Sequence, residues 1–454
     1  MSQSLELAER ALALAEGDAA EAVVTAERSG FARYAAGEVH QPTLIDDTVV
    51  HLRVIRDGRS GSASTNRIDD EGLADLARRA GEAAASADPD PDLAPLAPPV
   101  ELPEAEGYDE GTAALGADDQ ARLAEAAIAA SDGLGLYGFF TSGVCELAIA
   151  STTALRASER TTDATCLALA ASDDVSGYAE RTSWRVGEID PAAVAREAVA
   201  KAERTRGAVD APPARYRAVL EPYAIAELLY YTAFDMFNGQ ALLEERSWFA
   251  GRIGERKFDP KITLMDDALD PQGLPRAFDF EGTPKQRVEL VENGVARDVV
   301  WDRGTAAKAG DGRVSTGHAP QDAWRFYGPL PTAFSMAGGD AASLDDLAER
   351  VGDGIYVTRL HYLSVVDPRG GVLTGMTRDG TFRIRDGKVA EPLVNLRFTV
   401  PIAEVLGEVL GLTSEPLLMN MNELYDERFP HAALVPALAT ARFHISGAGS
   451  GPGL

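Results

Sequence analysis

Apolar positions recur along residues 4–16 so that Leu5, Leu7, Ala8, Ala11 and Leu12 share one face, which predicts an opening helix. Strand-like stretches follow over 22–28 and 31–36. The run 48–56 alternates in part, and Asp57-Gly58 after it reads as a tight turn into a returning strand at 60–64. Asp69 stands as N-cap for a helix over 71–87 that turns Leu73, Leu76, Ala77 and Ala80 inward. From Asp118 a further helix places Leu123, Ala126, Ala127 and Ala130 together, and strands are predicted at 136–141, 145–151, 154–158, 164–171 and 178–185. Asp190-Pro191 opens a helix to about Arg204, with proline in its first turn. A strand at 216–220 feeds an apolar helix over 223–237. Two hairpins are predicted beyond it: Asn293-Gly294 joins 288–292 to 295–301, and Asp386-Gly387 joins 381–385 to 388–393. Helices and strands mix without regular βαβ alternation, so the expected class is α+β.

One stretch interrupts this patterning. Residues 87–111 are rich in proline and acid, and no Lys or Arg occurs between Arg79 and Arg122. Such a composition predicts an extended surface excursion. At ~100–200 residues per domain the length predicts two or three units, and two are expected. These are an N-terminal α/β unit with antiparallel strands over 1–210, carrying the excursion, and a C-terminal, mostly antiparallel β unit with a few helices over 211–454.

Composition narrows the function classes. The 454 residues are 45% hydrophobic, and 71 Asp and Glu outweigh 43 Lys and Arg to give a net charge of −28. A field of that sign disfavours nucleic acid and anionic membrane surfaces as partners. The opening residues carry Glu6 and Glu9 where a signal peptide carries bases, and no apolar run reaches the ~18 residues of a membrane span. Two cysteines make no disulfide framework and fit a reducing compartment, so a cytoplasmic location is expected.

Candidate chemistry is sparse. The six histidines, at 40, 51, 318, 361, 431 and 444, never stand three to five apart, so no helical turn offers a metal-binding pair. A site drawn from distant residues stays open, with His431 and His444 meeting across strands. Cys145 and Cys166 lie among apolar neighbours and read as small core residues. Phosphate-binding loops and a G-x-S-x-G elbow are absent from the sequence. One region stands apart: the hairpin around Asn293-Gly294 ends in Asp302-Arg303, and the loop Ser315-Thr316-Gly317-His318 follows. Strand-end polar residues beside such a loop can form a site, and they can equally stabilise a turn.

These segments resemble the TldD/PmbA family of metallopeptidases, also labelled modulators of DNA gyrase. Residues 33–41 and 53–66 look like the family's opening hairpin, and 247–254, Asp266-Asp267, 279–282 and 315–318 fall in family order. The resemblance implies a zinc site on TldD-type subunits, with H-E-x-x-x-H on a helix and a later cysteine. Here the matching helix carries Tyr230, Tyr231 and Asp235 at the motif positions, and no Cys follows Cys166. That pattern is similar to the TldE/PmbA-type subunit. It implies that this chain binds no metal and has no catalytic residue of its own, zinc being held by a TldD-like partner in a heterodimer that processes or degrades small or unfolded peptides. Asp302, Arg303, Ser315, Thr316 and His318 are then the expected lining of the peptide chamber. Two other readings stand beside it. One is an autonomous metallopeptidase with a non-standard site drawn from His318, His361, His431 or His444. The other is a homodimeric peptide-binding protein without hydrolase activity.

Overall fold

The computed structural model describes residues 2–421 and 427–449. Its first half is one antiparallel six-stranded sheet, in the order β3-β2-β1-β4-β5-β6, built from β1 (Ala19–Ala35), β2 (Glu38–Arg56), β3 (Arg59–Thr65), β4 (Gly135–Ser151), β5 (Arg156–Ala171) and β6 (Ser176–Ser183). Four helices of ten residues or more accompany it: α1 (Gln3–Ala13), α2 (Asp70–Ser86), α4 (Ala117–Ala129) and α5 (Pro191–Arg204), with the short α3 (Glu110–Ala113) between the second and third. Asp69 and Asp190 cap α2 and α5 by accepting the N–H of Gly72 and Ala193.

Strand parity decides what each face of this sheet meets. The even positions Ala20, Ala22, Val24, Ala32 and Tyr34 of β1 are buried under the helices, in clusters with Leu7, Leu73 and Leu76 at one end and Ala124, Ala127, Val194 and Ala198 at the other. The odd positions face the second half of the chain, where Val23, Leu147 and Ile149 pack against Phe278, Phe280 and Phe429.

The second half forms two more sheets. One has the order β10-β9-β8-β11-β18-β17, from β8 (Leu264–Asp266), β9 (Val288–Glu292), β10 (Val295–Ala296), β11 (Ala333–Met336), β17 (Leu417–Asn420) and β18 (Ala432–Val435). The other uses β7 (Ala214–Leu220), β12 (Gly354–Asp367), β13 (Val372–Arg385), β14 (Lys388–Leu393), β15 (Leu396–Pro401), β16 (Val409–Leu412) and β19 (Leu438–Ala448). Its order β12-β7-β19-β15-β13 closes on itself because β12 also pairs with β13. Closure of this kind removes free edges. The large core cluster inside includes Leu220, Phe398, Phe443 and Ile445, together with Ile225 and Leu229 of α6 (Pro222–Ala233). The remaining helices are α7 (Gly239–Leu243), α8 (Arg303–Ala309), α9 (Leu344–Val351) and α10 (Ile402–Val405). The fold is α+β, with an antiparallel N-terminal sheet and a β-rich C-terminal half.

Several expected elements change length. The pairs 22–28/31–36, 136–141/145–151 and 154–158/164–171 are each one strand. The apparent break at Ser29-Gly30 marks the place where the Gln120 side chain crosses the strand, so close that a β-carbon on Gly30 would sit 1.8 Å from Oε1. The helix expected over 223–237 ends at Ala233. The second arm of the Asn293-Gly294 hairpin ends at Ala296, because Val300 turns to bond Phe237 and Gly239. Residues 87–111 form a strap. Asp90 N–H donates to Gly58 O, Thr153 to Ala97 O at 2.5 Å, and Arg303 to the carbonyls of Pro95 and Leu96 at 3.0 and 3.3 Å. No described helix is long and apolar enough to cross a membrane.

Candidate functional site

The five residues expected to line a chamber gather around Trp301. Asp302 caps α8, accepting the Thr305 N–H at 2.7 Å. Arg303 reaches away to the strap. The Ser315 hydroxyl donates to Trp301 O at 3.1 Å, and Thr316 Oγ1 accepts the Trp301 N–H at 2.8 Å, which leaves the Thr316 hydroxyl proton for His318. Gly317 has φ +78°, and a β-carbon there would lie 2.3 Å from Pro284 O, so only glycine fits the turn. His318 is fully buried. Its Nε2 lies 2.8 Å from Asp266 Oδ1 and its Nδ1 2.9 Å from Thr316 Oγ1. With Asp266 ionised, Nε2 carries the hydrogen and donates it, leaving Nδ1 as acceptor. Burial, reinforced by Lys285, pulls the imidazole down to about 4, so it is neutral at pH 7. Burial pushes the Asp266 carboxyl up, but His318, the charge of Lys285 and the Ala333 N–H outweigh it and hold it well below the usual range.

A cleft of about 310 Å³ lies elsewhere, between the odd face of the N-terminal sheet and a wall containing Arg276, Phe280, Gln321 and residues 427–430. Sheet register lays out the floor. Asp47, Glu27, Cys145 and Thr161 form one row across β2, β1, β4 and β5, and Val49, Thr25, Leu147 and Glu159 form the next. The wall is latched to this floor by Arg428. Its guanidinium holds Asp163 through bonds of 2.8 and 2.6 Å, its N–H donates to Glu27 at 3.0 Å, and its carbonyl accepts the Cys145 thiol at 3.2 Å. Cys145 is thus a cleft residue and not the small core residue expected, whereas Cys166 is buried. Burial and the nearby Asp163 push the Cys145 thiol far above its ordinary range, which removes it as a nucleophile.

Hydrogen-bonding groups are left over in this cleft. Arg276 is 2% exposed, with its guanidinium carbon 3.6 Å from the centre of the Phe429 ring, yet Nε and Nη1 have no partner. Glu159 Oε2 accepts the Ala277 N–H at 2.7 Å while Oε1 is unpaired, and burial raises that carboxyl to about 6. Gln321 Nε2 is also buried without a partner. None of these residues was singled out in the sequence. The available signal was a charged residue on the apolar-facing parity of a strand, as in Ala-Glu-Ala-Val-Val around Glu21.

Helix α6 lies beyond the far side of the cleft. Tyr230 lines a small recess together with Gln321, Glu427 and His431, which links it to the cleft through two shared residues. Its ring packs edge-on against Tyr231 and Phe234, at 5.3 and 5.4 Å, while Asp235 is ion-paired with Arg246. Two phenols and an arginine-bound carboxylate do not supply the imidazole and thiolate donors that zinc takes. Among the described residues, no group of three or more His, Cys, Asp or Glu is placed to hold a metal ion. The four histidines of the alternative site are spread over separate elements, with His318 bonded to Asp266 and Thr316. His361 lies on β12 and His444 on β19, in a different sheet from the β18 strand that follows His431.

Comparison with known proteins joins this geometry to a family. The model of the PmbA/TldA metallopeptidase C-terminal domain matches residues 213–447, and that of PmbA/TldA metallopeptidase domain 1 matches 20–84. A metalloprotease TldD homologue of Haemophilus influenzae is 27% identical over 208 residues, 46% of this chain and 42% of that protein. A metalloprotease of Methanothermobacter thermautotrophicus is 27% identical over 218 residues, 47% of this chain and 46% of that one. The chain thus spans less than half the length of these curated relatives. The crystal structure of TldE from Thermococcus kodakarensis superposes with a TM-score of 0.86 at 21% identity, covering 97% of this chain and 99% of that one. A putative modulator of a DNA gyrase from Thermotoga maritima gives 0.83 at 17%, with the same coverages, and both show a shared fold. With one family model running over more than half its length and a second over its opening strands, the chain belongs to the TldD/PmbA metallopeptidase family.

Proposed function

We propose that this chain is the non-catalytic, TldE-like subunit of a cytoplasmic peptidase. In this reading it pairs with a TldD-like subunit that holds the zinc, and it forms one wall of the chamber that receives small or unfolded peptides. The observation that supports the reading is helix α6: where the resemblance sets the family's metal motif, Tyr230 and Tyr231 pack on each other and Asp235 is ion-paired with Arg246. The contribution of this chain is then binding. An extended peptide is held by strand edges and side-chain pockets, and the cleft over β1, β2, β4 and β5 offers apolar walls with unpaired donors and acceptors for that purpose. Water activation belongs to the partner's metal.

Co-expression with an H-E-x-x-x-H subunit from the same cell tests the reading. The two chains are expected to co-purify in equal amounts, and peptide hydrolysis is expected only when both are present. Stoichiometric zinc and hydrolysis in this chain purified alone would overturn it in favour of an autonomous enzyme. A stable homodimer that ignores the second subunit would overturn it in favour of a self-contained peptide-binding protein.

A further inference from the structure

Glu21 occupies an unusual position for a carboxylate. It sits on the odd face of β1, is 2% exposed, and neither of its oxygens has a hydrogen-bond partner. It lines a recess of about 20 Å³ that opens from the inner end of the cleft, the two spaces sharing His51, Phe280, Gln321 and Glu427. Arg53 and Arg325 also line this recess, but neither hydrogen-bonds Glu21: Arg325 lies 3.5 Å from Asp322, and Arg53 donates to Ser60 at 3.0 Å. A buried carboxylate without a donor is costly, so such a group in a native fold calls for an explanation. Burial raises Glu21 to about 7, against the lowering pull of Arg325 and Arg53.

The approach to the recess is also negative. The cleft floor and wall carry Glu27, Asp47, Glu146, Glu159 and Glu427 against Arg276 and an Arg428 consumed by Asp163, so acids outnumber bases. Phe280 lines both spaces and offers an apolar flank to a methylene stem. The recess volume is close to that needed for a single water-sized group, which suits an ammonium and is too small for a planar guanidinium. We infer that the cleft selects peptides by a lysine side chain, whose ammonium seats against Glu21 while its stem lies along Phe280. This rests on the reading of the chain as a wall of a peptide chamber, and adds to it the chemical class of residue that the wall recognises.

Titration calorimetry of the full-length chain with acetylated, amidated pentapeptides Gly-Ala-Xaa-Ala-Gly provides the test, with Xaa as lysine, norleucine, arginine or glutamate. Lysine is expected to bind on the order of tenfold more tightly than norleucine, its uncharged analogue, and more tightly than arginine. In Glu21→Gln, which keeps the side-chain shape, the lysine advantage should fall to about threefold or less, while norleucine binding is unchanged. Equal binding of lysine and norleucine would overturn the lysine seat and leave the chamber reading standing. Equal binding of arginine would overturn the recess as that seat. No binding of any peptide, to the chain or to its complex with the partner, would overturn both. A lysine preference in a chain that never pairs with a second subunit would retain the seat and overturn only the heterodimer.

Discussion

His318 was legible as a candidate residue because it ends a Ser-Thr-Gly-His loop, but its partner could not be read from the sequence. Asp266 lies 52 positions earlier, and only the packing of β8 brings the carboxylate to Nε2. The pair shapes the response to acid. The folded imidazole sits at about 4, below its ordinary value of ~6.5 in the unfolded chain. A group depressed in this way binds more protons when unfolded. Its contribution is therefore fully present above pH ~6.5 and is lost as pH falls toward 4. The shift corresponds to about 3 kcal/mol. Melting temperature is accordingly expected to drop as pH is lowered through that window. In His318→Asn, which cannot titrate, the slope should flatten while stability at pH 7 falls by about 2 kcal/mol. Calorimetric melting at stepped pH checks both, and an unchanged slope would reject the role given to His318.

At the scale of elements, the sequence marked residues 87–111 as an excursion without regular structure, which holds up to Asp109, the N-cap of α3, because proline and like charges oppose helix and sheet alike. What it did not show is where the segment docks, since docking here is a matter of carbonyls accepting from distant side chains. Arg303 is the clearest case. It was expected to face a chamber, and it instead bonds Pro95 O and Leu96 O from the first turn of α8. Arg303→Ala should loosen the strap without unfolding the protein. Limited proteolysis is expected to cut within 87–111 several-fold faster, with global stability lowered by about 1 kcal/mol or less. Unaltered cleavage would mean that Ala97 and the Asp90 contact hold the strap by themselves.

For the whole molecule, the α+β class followed from the irregular order of helical and strand periods, and the three Asx-Gly turns gave hairpins in the right places. The ring β12-β7-β19-β15-β13 was not legible, because two of its pairings, β12 with β7 and β7 with β19, join residues more than a hundred apart and leave no mark on local alternation. The same holds for the joint between the N-terminal sheet and the second half, where Arg428 grips Asp163 with side chains 9% and 5% exposed. Removing one partner of so buried a pair strands the other charge, so Arg428→Ala is expected to cost about 3–5 kcal/mol. Denaturant unfolding measures that cost, and a loss under 1 kcal/mol would show that the latch is dispensable. The rows of the cleft floor have a last consequence, for how this binding surface can change over time. Each row takes one residue from each of four strands, and neighbours along a strand point to opposite sides. A substitution therefore edits a single tile of the floor. A one-residue insertion or deletion within β1 would instead invert the column, carrying Glu27 under the helices and turning Ala26 and Arg28 toward the cleft. Insertions are thus confined to the turns, and specificity can drift only by exchange of side chains at fixed addresses.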